Sequence, residues 1–315
     1  MLKVHFLNVG HGDCTIIEHP SGNVTVIDIN NGTDIDSKSA RELAESFSSA
    51  TRNIELNELM GRRRLGALVE AGYDIQLTNP IEYLKNILNG RSIFRYIQTH
   101  PDLDHMRGLT VLRREFSILN FWDTENNKVI TEFRGDSDRE DWETYQELRK
   151  STETPKSLIM SRGDRRPYFH SYEEGGDDIQ ILAPNSDLSE LANNSDNHNN
   201  HSYVIRVRYG DVDVLLPGDA ESAVWDSLVE EYGSNLSTSV LKASHHGRDS
   251  GYHDDAVRHI SPQYTIVSVG KKPSTDASNK YRKYSQNVWS TRWKGDIVLT
   301  VNSDGRANIV PEYDR

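Results

Sequence analysis

Four potential metal ligands fall within six consecutive residues, and this cluster constrains the fold of the chain more than any other feature. The four are His100, Asp102, Asp104 and His105, and they follow an apolar stretch, residues 93–98, that is typical of a buried strand. A regular strand or helix cannot direct all four side chains to one point, whereas a loop at the end of a strand can. Asp and His are also common in turns, but a cluster this dense favours a metal site. Imidazole and carboxylate ligands together suit zinc, manganese or iron.

Two further candidates follow predicted strands downstream. The apolar residues 214–216 lead into Pro217-Gly218-Asp219, and residues 241–243 lead into Ser244-His245-His246. Taken alone, Asp219 is equally well the N-cap of the helix that follows it, and a His pair alone is weak evidence of function. Because strand ends in a sandwich cluster along one edge, the joint pattern predicts that Asp219 and the His pair join the four loop ligands. The pattern leaves open which of His245 and His246 is the ligand.

Strands and helices are mixed along the rest of the chain. The first thirty residues read as three strands, and the chain closes with a hairpin around Asp304-Gly305. Two polar stretches, at about residues 33–78 and 124–177, read as partly helical insertions. The first holds helical patterns near 39–47 and 55–67. This mixture predicts an α/β sandwich with one continuous core, forming a single domain over residues 1–315.

Composition narrows the choice of partners and ligands. The formal net charge of −12 argues mildly against tight, sequence-independent binding of nucleic acid, which usually needs a basic face. The basic residues 61–65 and the run Lys280, Arg282 and Lys283 could supply a local basic strip, although such runs are usually solvated charge. Cys14 is the only cysteine, so no internal disulfide and no cysteine-rich zinc module can form. A transition-metal site must therefore come from His, Asp and Glu.

The sequence carries no signal for a membrane. No window approaches the roughly 20 apolar residues that a membrane-spanning helix needs, and Met1 leads directly into a strand-like stretch without a basic-then-apolar leader. A cytoplasmic location is the expectation that follows.

The order of the motifs resembles the metallo-β-lactamase fold, an αββα sandwich. The motifs are Gly10-His11-Gly12-Asp13, Val26-Ile27-Asp28, residues 99–105, Pro217-Gly218-Asp219 and His245-His246-Gly247. The chain is most similar to the branch that includes the C-terminal domain of the ComEC-type competence protein, and the resemblance runs from Leu2 to about Val310 apart from the two insertions. The superfamily signature His-x-His-x-Asp-His stands here as His-x-Asp-x-Asp-His. Asp102 occupies the position of the second His, an exchange that this branch often shows.

The resemblance implies a site for two divalent metal ions, zinc or manganese. By position, His100 and Asp102 would bind the first ion, Asp104 and His105 would bind the second with one of His245 or His246, and Asp219 would bridge both. Asp104 and Asp219 are accordingly the predicted catalytic carboxylates. The Asp in place of a His makes the first position harder, so we expect manganese to serve at least as well as zinc.

Several residues around this set have roles that the resemblance suggests less sharply. His201, in Asn199-Asn200-His201-Ser202, lies in the region of the third superfamily motif and is either a ligand or a loop histidine; the same holds more weakly for His198. Asp28 stands where the family has a carboxylate that orients the metal-binding loop, or else it is an ordinary strand-end residue. His11 and Asp13 follow the first strand and could face the site, and His11 stands where the branch commonly has Gln.

The activity that the resemblance implies is phosphodiester hydrolysis by water activated between two metal ions about 3.5–4 Å apart, with DNA or a nucleotide as substrate. Lys271, Lys280 and Arg282 could bind phosphate, or could simply be solvated charges. The chain has Tyr281-Arg282-Lys283-Tyr284 where a His-Pro element commonly follows in that branch, which leaves the substrate open.

Two other classes of function remain alternatives. One is hydrolysis of another ester, such as a cyclic nucleotide, a phosphocholine ester or a lactone. The other is a non-catalytic binding subunit, which the intact set of ligands argues against. The two polar insertions could bind a protein partner or a second copy of the chain, or could cover the site, and a role in DNA processing or defence is a further expectation.

Overall fold

A computed structural model describes residues 1–31, 77–270 and 276–313. The helical stretches predicted near residues 39–47 and 55–67 lie outside the described residues, and so does Lys271. No helix among the described residues combines the length and the apolar composition needed to cross a bilayer.

The described residues form fourteen strands and eight α-helices. The strands are β1 Leu2–Phe6, β2 Thr15–Glu18, β3 Val24–Ile27, β4 Ile93–Ile97, β5 Ile118–Asp123, β6 Lys156–Ile159, β7 Ile179–Ala183, β8 Val204–Tyr209, β9 Val212–Leu216, β10 Val240–Lys242, β11 Tyr264–Val267, β12 Asn287–Ser290, β13 Ile297–Val301 and β14 Ala307–Pro311. The helices are α1 Pro80–Leu88, α2 Leu109–Glu115, α3 Asp136–Leu148, α4 Ser186–Ser195, α5 Ser222–Tyr232, α6 Asp254–Ile260, α7 Ser278–Tyr281 and α8 Thr291–Lys294.

The strands make two sheets. The larger has the order β14-β13-β1-β2-β3-β4-β5-β6, and the smaller has the order β12-β11-β10-β9-β8-β7. Strands β3, β4, β5 and β6 are parallel, as are β9, β10, β11 and β12. The carboxyl ends of parallel strands meet at one edge of a sheet. The loops that follow β3 and β4, and those that follow β9, β10 and β11, are therefore brought to common edges.

Three apolar clusters define four layers. The central cluster joins the two sheets and holds large buried side chains from both, among them Phe6, Trp122 and Tyr203. A second cluster packs α1, α2 and α3 on the outer face of the larger sheet. The third packs helices such as α5, with Trp225, on the outer face of the smaller sheet. This arrangement is the α/β sandwich of the αββα type predicted from the sequence, and that prediction is confirmed.

Local sequence explains where the first described helix begins and ends. Asn79 caps α1, since its side-chain oxygen accepts from the backbone N–H of Ile81 at 2.9 Å, and Pro80 takes the first helical position where no N–H is needed. Asn89 ends the helix in the left-handed region with φ 45°. Ile81, Leu84 and Leu88 lie on one face and are buried against the larger sheet.

Residues 124–177, predicted as a polar insertion, contribute to two of the layers. Helix α3 buries Tyr145 and Leu148 in the outer cluster of the larger sheet, and β6 adds an edge strand parallel to β5. The end of the segment is tied to the sheet by a fully buried ion pair, with Arg95 Nη2 2.6 Å from Asp177 Oδ2. The sequence pattern misses β6 because this strand is partly exposed along its length and lacks an apolar run.

Candidate metal centre

The predicted ligands lie at the ends of strands. Asp28 follows β3, and the loop from Thr99 to His105 follows β4 in the larger sheet. Asp219 follows β9 and the His245/His246 pair follows β10 in the smaller sheet. The edges of the two sheets therefore contribute complementary parts of one site, as the sequence predicted from the positions of these motifs.

Asp28 organises the ligand loop. Its Oδ1 accepts from the backbone N–H of Thr99 at 2.8 Å, and its Oδ2 accepts from the Thr99 hydroxyl and from His105 Nδ1, both at 2.7 Å. Asp28 is buried and has a positive φ of 56°. Left-handed backbone is uncommon for residues other than glycine, although Asp and Asn tolerate it. Asp28 therefore fixes both the entry of the loop and the orientation of one predicted ligand.

Each of four histidines has its Nδ1 engaged outside the site. Nδ1 of His105 contacts Asp28, and Nδ1 of His246 lies 3.0 Å from the carbonyl oxygen of Ser268. Nδ1 of His100 lies 3.1 Å from the Thr99 hydroxyl, and Nδ1 of His245 lies 3.2 Å from Glu221 Oε1. A carbonyl or carboxylate accepts the Nδ1 proton, which leaves Nε2 with its lone pair. Fixing this tautomer is what partners beyond the ligands commonly do in metal sites.

Asp219 lies at the centre of the site. Its Oδ1 is 3.3 Å from His105 Nε2, and its Oδ2 is 3.6 Å from His246 Nε2. The same Oδ2 is 3.7 Å from His245 Nε2 and 3.9 Å from His100 Nε2. The structure thus brings all four histidine Nε2 atoms around one buried carboxylate.

On one side of Asp219 a compact group of donors is already assembled. One ligand atom from each of Asp13, His105, Asp219 and His246 lies within 4.8 Å of all the others, and all four residues are buried. Asp104 adjoins this group, with its Oδ2 3.5 Å from His246 Nε2. Asp13 was predicted only to face the site, and the structure places it among the potential ligands.

The other side of Asp219 is looser. His100 Nε2 lies 4.0 Å from Asp102 Oδ2 and 3.9 Å from Asp219 Oδ2. His245 also faces Asp219 from the end of β10. His201 lies beside this side, with its Nε2 3.0 Å from the Asn193 side-chain oxygen and its ring stacked on His198 at 5.5 Å, and its Nδ1 is buried without a partner among the described residues. Burial lowers the pKa of His201 to about 4, so this ring is a neutral, hydrogen-bonded histidine beside the site.

The buried polar atoms of the site fit a bound cation. Within the described residues, Nε2 of His100, His105 and His246 and Oδ1 of Asp13 and Asp219 are buried without a hydrogen-bond partner. Unpartnered buried polar atoms are rare and costly. Five of them converging on one centre is the arrangement expected of metal ligands.

The electrostatics of the site agree with this fit. Burial lowers the pKa of His105, but the charges of Asp219 and Asp28 outweigh burial and raise that pKa well above its ordinary value. Burial raises the pKa of Asp219, but His105 and His246 outweigh it and hold that pKa well below the usual range. The carboxylates therefore favour positive charge at the positions of the histidine rings.

The His pair sits on strained backbone. His245 has φ 48° and ψ 48°, and His246 has φ 54° and ψ 26°. Left-handed conformations of this kind cost about 1–3 kcal/mol each and persist where the surroundings enforce them. Gly251 is part of that surrounding, since a Cβ there would lie only 2.5 Å from the Ser244 carbonyl oxygen. Strain at this pair points to a functional role for the direction of both rings.

Three charged residues at the site were not assigned a role from the sequence. Lys242 is buried at the end of β10 and forms an ion pair with Asp13 Oδ2. Lys128, from the segment 124–177, forms an ion pair with Asp102 Oδ1. Glu221 accepts from His245, and this hydrogen bond lowers the pKa of Glu221 to about 2.

Of Lys242, Lys128 and Glu221, only Lys242 could have been recognised from the sequence as a residue of the site. A lysine inside the apolar stretch 240–243 is rarely buried unless it is paired. Glu221 looks like an ordinary acidic residue at the start of a helix, and nothing near Lys128 in the chain marks it.

The residues predicted to bind substrate are separated by the structure. Lys280 is exposed and pairs with Asp249 at 2.7 Å, whereas Arg282 lines a cavity beside the site. Lys271 lies outside the described residues. His11 is at the rim of the site, with its Nε2 3.9 Å from Asp104 Oδ2.

The chain belongs to the metallo-beta-lactamase superfamily. The sequence profile of that superfamily matches residues 67–270, which is well over half of the chain. The fold is thus the hydrolase-type fold of this superfamily, and it carries a buried cluster of potential metal ligands.

Curated relatives agree with the ComEC-type branch inferred from the motifs. The chain is 30% identical over 148 residues to the competence protein ComA of Neisseria gonorrhoeae, a match that covers 45% of this chain and 20% of that protein. It is 26% identical over 148 residues to recombination protein 2 of Haemophilus influenzae, covering 44% of this chain and 18% of that protein. The matched regions thus span about a fifth of these relatives.

Solved structures with a similar fold are distant in sequence. CmlA, a diiron beta-hydroxylase from Streptomyces venezuelae, aligns with a TM-score of 0.42 at 11% identity, covering 91% of this chain and 52% of that chain. A Zn-dependent hydrolase of the metallo-beta-lactamase superfamily from Thermotoga maritima aligns with a TM-score of 0.36 at 9% identity, covering 92% of this chain and 99% of that chain.

The role of Asp28 gives a direct prediction. Asp28→Asn is expected to weaken metal binding by about 10–100-fold, the usual cost of losing a partner that orients a ligand. Asn tolerates the same left-handed backbone. If its amide nitrogen faces His105, Nδ1 must become the acceptor and the proton moves to Nε2, the atom that faces the site. Titration with zinc against a competing chelator measures the change, with the exposed Asp304→Asn as control. Unchanged affinity in Asp28→Asn would show that Asp28 is only a turn residue.

Proposed function

We propose that this chain is a metal-dependent phosphodiesterase that acts on nucleic acid or nucleotides and uses two divalent ions, zinc or manganese. The observation that carries the proposal is the convergence of buried, unpartnered Nε2 atoms and carboxylate oxygens around Asp219. A non-catalytic descendant would have little reason to retain so many unpartnered polar atoms, because each of them destabilises the fold.

The distances suggest how the ligands are shared. We assign Asp104, His105 and His246 to one metal position, where the donors are close together, with Asp13 beside them. We assign His100, Asp102 and His245 to the other position, so that both histidines of the pair are ligands. Asp219 serves both positions, because its two oxygens face Nε2 atoms from each set.

When bound to these residues, a pair of divalent ions would supply an activated water molecule and would neutralise charge that develops on phosphoryl oxygens. The protein itself holds the metal-ligand side chains rigidly and keeps other hydrogen-bond partners away from their ligand atoms. Asp28, Ser268 and Glu221 hold the Nδ1 atoms of the histidines, so that each Nε2 faces inward before anything binds. Partners that orient metal ligands in this way typically contribute about 10–100-fold to metal affinity or activity.

Lys128 supports an anionic substrate. Its side chain is 21% exposed and contacts Asp102 at the mouth of the site. The loop that carries it is well held, since Asn126 donates to the Tyr145 hydroxyl at 2.8 Å and its carbonyl accepts from Arg149 at 3.0 Å. A positively charged side chain fixed at this point would attract a phosphate group. This local attraction opposes the repulsion of anions that the net charge of −12 otherwise causes.

The relatives favour nucleic acid within the phosphodiester class. The names of two of them refer to competence and to recombination, both of which concern DNA. Because the match covers about a fifth of each, the likeness concerns this domain alone, and DNA as the substrate is part of the proposal.

Removing the metal tests the proposal. Protein stripped with a chelator is expected to hydrolyse bis-p-nitrophenyl phosphate at least about 100-fold more slowly than protein reloaded with manganese or zinc, since the ions supply several kcal/mol of transition-state stabilisation. The monoester p-nitrophenyl phosphate and the carboxylic ester p-nitrophenyl acetate, run in parallel, report on the class of bond. Metal binding without diester turnover would reject the phosphodiesterase and favour another ester. Failure to bind metal at all would reject a metal-dependent enzyme.

A further inference from the structure

A cavity of about 320 Å³ lies beside the metal centre and is not part of it. Its wall includes Trp293, Asn279, Ser290, the two arginines Arg282 and Arg292, and Asp276, and none of the proposed metal ligands lines it. Its volume is at the lower end of the range for small-molecule sites, about 300–1,000 Å³. It therefore suits a ligand of modest size.

The cavity shares a loop with the metal centre. Val267, at the end of β11, lines the cavity and packs against Gly247, which directly follows His246. The next residue, Ser268, accepts the Nδ1 proton of His246 through its carbonyl oxygen. Ala277, which directly precedes α7, donates its N–H to the Gly247 carbonyl at 2.8 Å. A ligand in the cavity would thus lie beside the residues that orient His246.

The lining combines aromatic surface with unused polar groups. Trp293 supplies the aromatic surface, with the Arg292 guanidinium packed on its ring at 4.6 Å, whereas the ring of Trp289 lies on the other face of the sheet, against Tyr264 at 5.0 Å. The Oγ of Ser290 is buried and has no hydrogen-bond partner within the described residues. A buried hydroxyl without a partner is uncommon, and this one is available to a polar ligand.

Arg282 differs from the lysines around it. Lys280 pairs with Asp249 at 2.7 Å, and Lys283 pairs with Asp254 at 3.1 Å. Among the ion pairs and hydrogen bonds of the described residues, none involves the Arg282 guanidinium, although carboxylates are abundant in this acidic chain. A guanidinium left free at the wall of an aromatic cavity is suited to a planar anionic group such as phosphate.

We propose that this cavity binds one nucleotide unit of the substrate, with the base against Trp293 and the phosphate on Arg282. This inference rests on the proposed function, because the cavity is a substrate subsite only if the metal centre beside it cuts a phosphodiester bond. Stacking of a base on an aromatic side chain contributes about 1–3 kcal/mol and tolerates any base. An aromatic wall with two arginines, Arg282 and Arg292, therefore selects for nucleotides over simple phosphate esters.

Tryptophan fluorescence can report on this cavity directly. Of the five tryptophans, Trp122, Trp142 and Trp225 are buried in the core, whereas Trp289 and Trp293 are only partly buried. The full chain is titrated with thymidine 5′-monophosphate in the presence of a chelator, so that neither metal nor turnover contributes. We expect saturable quenching that Arg282→Met weakens at least about 10-fold. Arg258→Met, which removes an exposed arginine paired with Asp255, is the matched control and is expected to bind like the unchanged chain.

Each outcome bears on the cavity separately from the catalytic activity. Quenching that Arg282→Met leaves unchanged, or no quenching at all, would overturn the subsite whether or not the protein hydrolyses bis-p-nitrophenyl phosphate. If Arg282→Met abolishes the quenching but the unchanged chain shows no diesterase activity, the nucleotide site is supported and the proposed function is rejected. Inorganic phosphate and thymidine are titrated in the same way. We expect both to bind more weakly than the monophosphate, and equal binding by either would contradict joint recognition of base and phosphate.

Discussion

Asp219→Asn is expected to lower metal-dependent diester hydrolysis at least about 10³-fold and to release metal, because one substitution affects both proposed metal positions. The carboxylate has two charged oxygens, and together they face the Nε2 atoms of four histidines. Asn keeps the shape but offers one neutral oxygen. Once the metal is lost, nothing separates the amide nitrogen of the introduced Asn from the Nε2 atoms of the histidines. The amide nitrogen can then donate to the lone pair of an Nε2.

The fold should survive this substitution. The backbone N–H of Asp219 donates to the Ser202 hydroxyl at 2.9 Å, and that bond does not depend on the side chain. Metal content measured by elemental analysis and kcat/KM with bis-p-nitrophenyl phosphate give the two readouts. Asp226→Asn, on the exposed face of α5, is the control. Normal turnover in a folded Asp219→Asn protein would contradict the assignment of Asp219 as the shared ligand.

The sequence was sufficient to predict which residues lie together around Asp219. Strand ends can be read from apolar runs and the turns that follow them, and parallel strands deliver their ends to one edge. In the structure, strands are followed by each of these parts of the site: Asp28, the loop from His100 to His105, Asp219 and the His pair. The same logic explains why the predicted α/β sandwich is confirmed, since it depends on periodicity that persists through each strand, whereas the αββα layering was implied by the family resemblance.

The parts that the sequence did not reveal depend on contacts between distant residues. The pairing of Lys128 with Asp102 depends on the path of the segment after β5, and Glu221 depends on how β9 and β10 align. His201 lies in the expected region, but Asn193, eight residues earlier, holds its Nε2. Local spacing places a residue near a site, and only the packing around it decides which way the ring faces.

The charge balance of the site links two of these unforeseen residues. Asp13 pairs with Lys242, and Asp102 pairs with Lys128, on opposite sides of Asp219. Two of the carboxylates around the centre thus have a permanent cation. Among the described residues, the ion-pair partners of Asp104 and Asp219 are histidines. A buried carboxylate is destabilising without a partner, so the lysines allow more acidic residues at the site than the proposed metal ions alone would balance.

Lys242→Met is therefore expected to lower the free energy of unfolding by about 3–5 kcal/mol, the usual cost of breaking a buried pair by removing one partner. Burial would raise the pKa of Asp13, and Lys242 is the first group among those that hold that pKa below its ordinary value. The side chains of both residues are almost fully buried, at 4% and 3% exposed, so water cannot replace the lost partner. Because Met fills a volume similar to that of Lys, the decrease in the free energy of unfolding reflects the lost charge more than lost packing.

Urea unfolding in the presence of a chelator measures this cost, and the double variant Asp13→Asn/Lys242→Met shows its origin. Neutralising Asp13 removes the unpaired charge, so the double variant should recover most of the stability that Lys242→Met loses. Asp13 also belongs to the group of donors around Asp219, and the cost of Lys242→Met should accordingly shrink when zinc is added, because a metal ion can then balance Asp13. A double variant no more stable than the single one would mean that Lys242 acts through packing. A cost that zinc does not change would mean that bound metal does not balance the charge of Asp13 and that Asp13 contributes nothing to the metal centre.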